Sequence, residues 1–156
     1  PRPSAGRPAK PYRRSAADLD LQVPARRYDL AASLLAEAVD AVGGERELHA
    51  SSRRAGRAAA DEAMGPAPAA SGAATTRRLF GALRGRGYEP YRSRDCIRLR
   101  NCPFHAVAEE YPPVICGMSQ AFLDGVLEGF GDKELAATID PRPGDCCVVI
   151  RRAPFV

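Results

Sequence analysis

The sequence contains no apolar run of the roughly 20 residues that a membrane span needs, and its start is rich in proline and arginine. We therefore expect a cytoplasmic protein that does not contact a membrane. A glycine-rich phosphate loop and the HExxH and GxSxG motifs are also missing. Because the common enzyme motifs are absent, we predict that the chain is not an enzyme.

Cysteine and histidine are scarce, with five and two residues in a chain of 156. The number of cysteines is odd, and they lack the dense, regular spacing of a secreted disulfide scaffold, which favours reduced thiols or metal ligands. A chain of this length can bury a core without metal or disulfide staples. The cysteines are therefore not required merely to hold the fold together.

The basic residues are concentrated in the first part of the chain. Residues 1–100 hold nineteen of the twenty-three basic residues against eleven acidic ones, whereas residues 101–156 hold four against eight. The first fifteen residues, "PRPSAGRPAKPYRRS", contain four prolines and almost no large apolar residue. This asymmetry indicates a polyanion near the front of the chain, and the composition predicts an extended basic arm.

Hydrophobic periodicity divides the rest of the chain into helices followed by strands around helices. In "YDLAASLLAEAVDAV" the apolar residues lie on one helical face, formed by Leu30, Leu34, Leu35, Ala38 and Val42. The predicted helices span 28–42, 46–64, 73–84, 104–110 and 113–130, and the predicted strands span 88–92, 96–101, 134–140 and 146–152. We expect helix 46–64 to lie on the surface or at an interface, because Leu48 and Met64 are its only large apolar residues. The fold class is α+β, with N-terminal helices followed by a mostly antiparallel sheet and a long packed helix.

The predicted elements bring four of the five cysteines towards one edge of the sheet. Cys102 ends a strand, Cys116 lies early in the long helix, and Cys146 and Cys147 open the last strand. His105 follows Cys102 in a CxxH spacing. Thiolates and imidazole are the donors of a tetrahedral zinc site, and three thiolates with one further donor also suit an iron–sulfur cluster.

Two other interpretations of the same residues remain open. Free cysteine is often buried and behaves as a small hydrophobe, so the thiols could be core residues. Cys102 and His105 could also form the nucleophile and base of a hydrolase, although one tight turn carries both and no orienting aspartate or oxyanion signature accompanies them.

Three short stretches resemble a known family of regulators. "GRPAKPYR" resembles the end of the wing in winged-helix regulators of the ArsR-like group, and "CPF" followed by a helix, "VICGM" and "PGDCCVVI" resemble their C-terminal sensor half. Within that group the layout is similar to regulators related to the repressor of the SUF iron–sulfur assembly operon. The resemblance covers residues 6–156 and is strongest over 99–150.

The resemblance implies a dimeric transcription factor that binds DNA through an N-terminal helix-turn-helix. In the SUF branch it implies an iron–sulfur cluster on three cysteines spaced like Cys102, Cys116 and Cys146, with Cys147 as the alternative to Cys146 and His105 as a guess for the fourth ligand. The sensor half is also similar to the vinyl-reductase-type small-molecule-binding fold, in which a thiol site can bind zinc or be structural.

The recognition helix and most of the wing are missing from this sequence, so we expect no reading of bases. The remaining basic residues could contact the DNA backbone without sequence discrimination; they are Arg2, Arg7, Lys10, Arg13 and Arg14. We assign residues 1–15 to a wing remnant, 16–45 to a linker and dimerisation helix, and 46–156 to the effector domain. The chain is expected to be the effector and dimerisation part of a bacterial regulator. The alternative is a domain that binds a small-molecule effector between the long helix and the sheet, with structural cysteines and no cofactor.

Overall fold

The computed structural model describes Pro24, residues 26–65 and residues 73–153. Five helices and four strands lie in these ranges: α1 Tyr28–Val42, α2 Glu45–Met64, α3 Ala73–Arg84, β1 Pro90–Ser93, β2 Cys96–Leu99, α4 His105–Glu110, α5 Pro112–Gly129, β3 Leu135–Ile139 and β4 Val148–Arg152. The predicted α+β class is confirmed. The predicted wing remnant, most of the linker and the five proposed DNA contacts in residues 1–15 lie outside the described residues.

The four strands form one antiparallel sheet in the order β1-β2-β4-β3. In its register Ile97 of β2 lies opposite Ile150 of β4, which in turn lies opposite Ala137 of β3. All three are buried in the main core, together with Leu99 and Val148. Because side chains alternate along a strand, the residues between them point to the other face of the sheet.

Helix α5 is the central element of the fold. It begins at Pro112 and Pro113, at positions where a helix has no use for a backbone N–H. The sheet packs against one side of α5, through β3 and β4, and α2 packs against another. Four large apolar residues recur along it at helical spacing: Ile115 and Val126 are buried, whereas Phe122 and Phe130 are partly buried against the core.

Helix α2 is more deeply packed than its composition suggested. Its buried residues are Gly56, Ala59 and Ala60, and it forms the most extensive helix–helix contact of the described chain, with α5. A Cβ atom on Gly56 would lie 2.1 Å from the carbonyl oxygen of Phe122. One face of α2 stays exposed, as its composition predicted, while small side chains on the other face allow its backbone to meet that of α5 without large apolar residues.

Helix α1 forms as predicted, but its apolar face does not pack on the described residues. Ala36 is its only buried residue, and Ala32 and Val39 contribute partly buried contacts to a small cluster with α4 and α5. The leucines of the predicted face are exposed, with Leu34 at 57% and Leu35 at 68%. This face is therefore free within the described part of a single chain.

The contact between α2 and α5 yields a stability prediction for Gly125. An added Cβ there would lie 2.1 Å from the carbonyl oxygen of Arg53, so Gly125→Ala should lower the free energy of unfolding by about 1–3 kcal/mol or more. Gly81→Ala is the matched control, since its Cβ would meet nothing within 4 Å on the exposed side of α3. The control should gain about 0.5–1 kcal/mol from helix propensity. Urea unfolding of both variants checks the prediction, and equal stabilities would contradict it.

Candidate functional site

Four cysteines from three elements line one pocket at the edge of the sheet. They are Cys102 after β2, Cys116 in the first turns of α5, and Cys146 and Cys147 before β4. The pocket has a volume of about 420 Å³, and His105 also lines it. The sequence-based prediction that these elements meet agrees with this arrangement.

Backbone hydrogen bonds fix the two adjacent cysteines at the ends of strands. The N–H of Cys146 donates to the carbonyl oxygen of Leu99 at 2.7 Å, which holds Cys146 against the end of β2. The carbonyl oxygen of Cys147 accepts from the N–H of Asp140 at 2.7 Å, beyond the end of β3. Cys146 is buried in the main core with Val148 and Ile150, whereas Cys147 is half-buried at the bend before β4.

Cys116 and Cys147 form a disulfide, with a Cα–Cα distance of 6.6 Å across a sequence separation of 31 residues. This distance lies in the range that a disulfide can bridge. The expectation that all cysteines are reduced thiols or ligands therefore differs from the structure at this pair. Cysteine spacing alone could not show it, because the pairing depends on how α5 packs beside β4.

Cys102 and Cys146 are free thiols that line this pocket together. The hydrogen bond from Cys146 lowers the pKa of Cys102 to about 7; burial acts in the opposite direction, and the backbone N–H of Phe104 and the charge of His105 add to the lowering. The same hydrogen bond, with burial, raises the pKa of Cys146. Cys102 is therefore partly thiolate at neutral pH, and the thiolate is the form that reacts and binds metals.

His105 faces Glu109 rather than the sulfurs. Its Nε2 lies 3.3 Å from Glu109 Oε1, and its side chain is 59% exposed. A hydrolase would need the ring nitrogen to face Cys102, so this geometry does not favour a Cys102–His105 catalytic pair. Cys96 is separate from the site, because its thiol donates to the carbonyl oxygen of Ser93 at 3.2 Å within the β1–β2 hairpin.

Tyr88 lies behind the thiol pair and was not singled out from the sequence. It is 1% exposed, its hydroxyl is 2.9 Å from Ser119 Oγ, and its ring contacts Phe104 and Phe122. Burial raises the pKa of Tyr88; the hydrogen bond with Ser119 acts in the opposite direction, and negative charge on the cysteine pair would add to the rise. No local pattern marks this tyrosine, because its role depends on which helix covers it.

Four cysteine sulfurs are suitable ligands for a soft metal or an iron–sulfur cluster, but only when they are reduced. Within residues 26–65 and 73–153, no group of three or more Cys, His, Asp or Glu side chains is arranged to hold a metal ion. Cys116 and Cys147 are bonded to each other, so their sulfurs cannot be thiolate ligands until two electrons reduce them. The cofactor and its fourth ligand therefore remain predictions.

The reactivity of Cys102 should show its lowered pKa. In a metal-free Cys96→Ser variant with the disulfide intact, Cys102 and Cys146 are the remaining thiols. The rate of alkylation by iodoacetamide should rise with pH through a midpoint of about 7, because the thiolate is the nucleophile. Adding Cys146→Ala removes the hydrogen-bond donor and should move the midpoint towards about 8.5, the value of an ordinary cysteine. An unchanged midpoint would contradict the assignment.

In the described part of the chain, no helix combines the length and apolar character that a membrane span requires. No family model, curated protein or solved structure matches the chain. The geometry of the thiol pocket is therefore the main support for an assignment of function.

Proposed function

We propose that this chain is the effector and dimerisation part of a bacterial transcriptional regulator that senses redox state or iron–sulfur or metal status. The observation that carries this proposal is the convergence of Cys102, Cys116, Cys146 and Cys147 on one pocket. Four of five cysteines from three separated segments share that pocket, and a packing role alone does not require such convergence. The resemblance to regulators of the ArsR-like group supplies the link to transcription.

The four sulfurs support two alternative states of the site. In the oxidised state Cys116 and Cys147 share a disulfide while Cys102 and Cys146 remain thiols. Reduction of the disulfide takes up two electrons and two protons and gives four thiols around the pocket. Cys102, Cys116 and one of the adjacent pair would then hold the cofactor; an iron–sulfur cluster would supply a reversible electron-transfer couple when bound. A change between these states alters the link between α5 and β4.

A small-molecule-binding regulatory domain is the second candidate. A cavity of about 780 Å³ lies between α3, the β1–β2 hairpin and the C-terminal end of α5. Its apolar wall includes Leu79, Ile97, Leu127 and Phe130. In this candidate the cavity would hold the effector, and the cysteines would be structural.

Anaerobic purification should separate these two candidates. We expect a coloured protein with stoichiometric iron and sulfide, or a colourless one with stoichiometric zinc, after reduction of the disulfide. The measurements are visible absorbance and assays for iron, acid-labile sulfide and zinc per chain. Reduced, colourless protein without stoichiometric metal would exclude the cofactor and leave the small-molecule candidate.

Serine substitutions should assign the ligands. Cys102→Ser and Cys116→Ser should each reduce cofactor occupancy to background, because a serine oxygen is a poor ligand for a soft metal site. Of Cys146→Ser and Cys147→Ser, one should lose the cofactor and the other keep it. Cys96→Ser is the matched control and should keep full occupancy, since this thiol bonds within the hairpin. His105→Ala distinguishes a nitrogen ligand from another fourth donor. Equal metal content in all variants would show that the thiols are core residues.

We further propose that the chain forms a homodimer through α1. Seven exposed apolar residues occupy an arc of about 140° on this helix; they are Leu30, Ala31, Leu34, Leu35, Ala38, Ala41 and Val42. The charged residues Asp29, Glu37 and Asp40 lie outside that arc. A continuous apolar face of this kind is typical of a helix that packs against a partner.

The charges at the two ends of α1 favour an antiparallel pairing with a second copy. Arg26 and Arg27 are exposed before the helix, whereas the last turns carry Glu37 and Asp40 and no basic residue. The C-terminal end of a helix favours positive charge, which α1 does not supply itself. An antiparallel partner would place its arginines beside these acidic residues, and a two-fold axis would repeat the contact.

The dimer proposal is tested by mass and by charge exchange. Light scattering at micromolar concentration should give twice the chain mass of 16.7 kDa, and Leu34→Glu with Leu35→Glu should give monomers. Arg54→Glu, an exposed change on α2, is the control and should remain dimeric. Asp40→Arg should weaken the dimer, and adding Arg26→Glu should restore it if the helices are antiparallel. A monomeric wild-type chain would exclude the interface.

A further inference from the structure

The face of the sheet opposite α5 carries a buried arginine. Arg98 lies between Ile97 and Leu99 on β2, both of which face the core, so strand alternation turns Arg98 to the other face. Its side chain is nevertheless almost fully buried, with a residue exposure of 1%. A buried guanidinium remains charged and needs partners for its five N–H groups.

Three arginines share one carboxylate at this position. Arg98 Nη2 and Arg151 Nη2 both donate to Asp140 Oδ2, the latter at 2.5 Å, and Arg142 Nη2 lies 3.8 Å from the same oxygen. Burial raises the pKa of Asp140, but the hydrogen bond from Arg151 and the charges of Arg98 and Arg142 outweigh it and lower the pKa overall. Asp140 is therefore ionised and pairs with three arginines; a second carboxylate, Asp145, lies 4.0 Å from Arg98 Nη1.

The arginines around Asp140 open onto a cavity of about 950 Å³. Its lining contains two aspartates and five arginines, namely Arg94, Arg98, Arg142, Arg151 and Arg152. The lining therefore has an excess of three positive charges. Such a concave, cationic surface attracts anions and concentrates them locally.

Two arginine N–H donors beside Asp140 form no hydrogen bond within the described residues. The Nε atoms of Arg98 and Arg151 are buried and have no hydrogen-bond partner among the described residues. Arg98 also directs Nη1 to the carbonyl oxygen of Asp140 at 3.2 Å, so its Nη groups are used and its Nε is not. Guanidinium groups match the oxygens of phosphate in fork-like pairs, and such an anion would also offset the mutual repulsion of the arginines.

We propose that the cavity beside Asp140 binds a phosphate-type oxyanion, either free or carried by a small molecule. The site lies on the opposite face of the sheet from α5, and anion binding there does not require the proposed cofactor. The charge excess, the unused donors and the concave shape each favour the same ligand chemistry. Arg142, whose side chain is 57% exposed, is placed at the entrance and can reach a ligand without changing the core.

Titration with inorganic phosphate at constant ionic strength tests the site. We expect saturable heat by calorimetry and a rise in unfolding temperature that chloride does not reproduce. Arg142→Gln and Arg151→Gln should each weaken phosphate binding at least tenfold. Arg54→Gln removes an equal charge from the surface of α2, where Arg54 contacts Ser51, and should bind like wild type. No saturable binding by wild type, or equal binding by all variants, would overturn the proposal.

Two further measurements separate related outcomes. If a short DNA duplex displaces phosphate and the same variants abolish that displacement, the site is confirmed and its oxyanion belongs to a nucleic-acid backbone. If Arg151→Gln unfolds the protein, the phosphate affinity of Arg142→Gln alone tests the proposal. The Arg142 side chain is exposed, so its replacement should leave the fold intact. Iron and zinc content should be unchanged in every arginine variant, so failure of this site and failure of the thiol site are distinguishable.

Discussion

The close approach of α2 to α5 is the contact on which the rest of the fold depends. Gly56 and Gly125 face the opposing backbones at distances that no Cβ could occupy. Ion pairs of Arg53 and Arg57 with Glu128 flank this contact on the exposed side, where such pairs contribute little by themselves. The dispersion contacts of two backbones at short range are therefore the main stabilising term at this contact. They hold α5 between α2 and the sheet and thereby fix where its first turns emerge.

The thiol pocket follows from that placement. Cys116 lies in the first turns of α5, and the ends of β2 and β4 lie at the same edge of the sheet. The hydrogen bond from the Cys146 N–H to the carbonyl oxygen of Leu99 holds Cys146 against the end of β2. Cys147 lies at the bend before β4, outside the regular strand, and is bonded to Cys116 of α5. The two neighbouring cysteines thus differ in state, since Cys146 is a free thiol in the same pocket as Cys102 and Cys147 forms the disulfide with Cys116. The doubled cysteine is the feature that allows four sulfurs to share one site.

The sequence predicted the elements better than the contacts between them. Hydrophobic period and turn residues placed every helix and strand within about two residues of its bounds, because these signals are local. The close approach of α2 to α5 was not predicted, since alanine and glycine carry little hydrophobic signal and their small size matters only where a second backbone packs against them. Convergence of the cysteines was predictable from the order of the elements. Their pairing was not, because which of Cys146 and Cys147 meets Cys116 depends on the bend before β4 and on the position of α5.

The disulfide and the proposed cofactor would use some of the same sulfurs and would therefore exclude each other. Cys116 loses its thiolate when it bonds to Cys147, while Cys102, with a pKa of about 7, remains available as a thiolate at neutral pH. Oxidation would thus remove at least one ligand from any three-cysteine set that includes Cys116, whichever of the adjacent cysteines completes it. The disulfide also joins the start of α5 to the chain entering β4, so the redox state of this pair is linked to the packing of the central helix. In a dimer built on α1, which packs on α4 and α5, that linkage provides a physical route from the thiol pocket to the subunit interface.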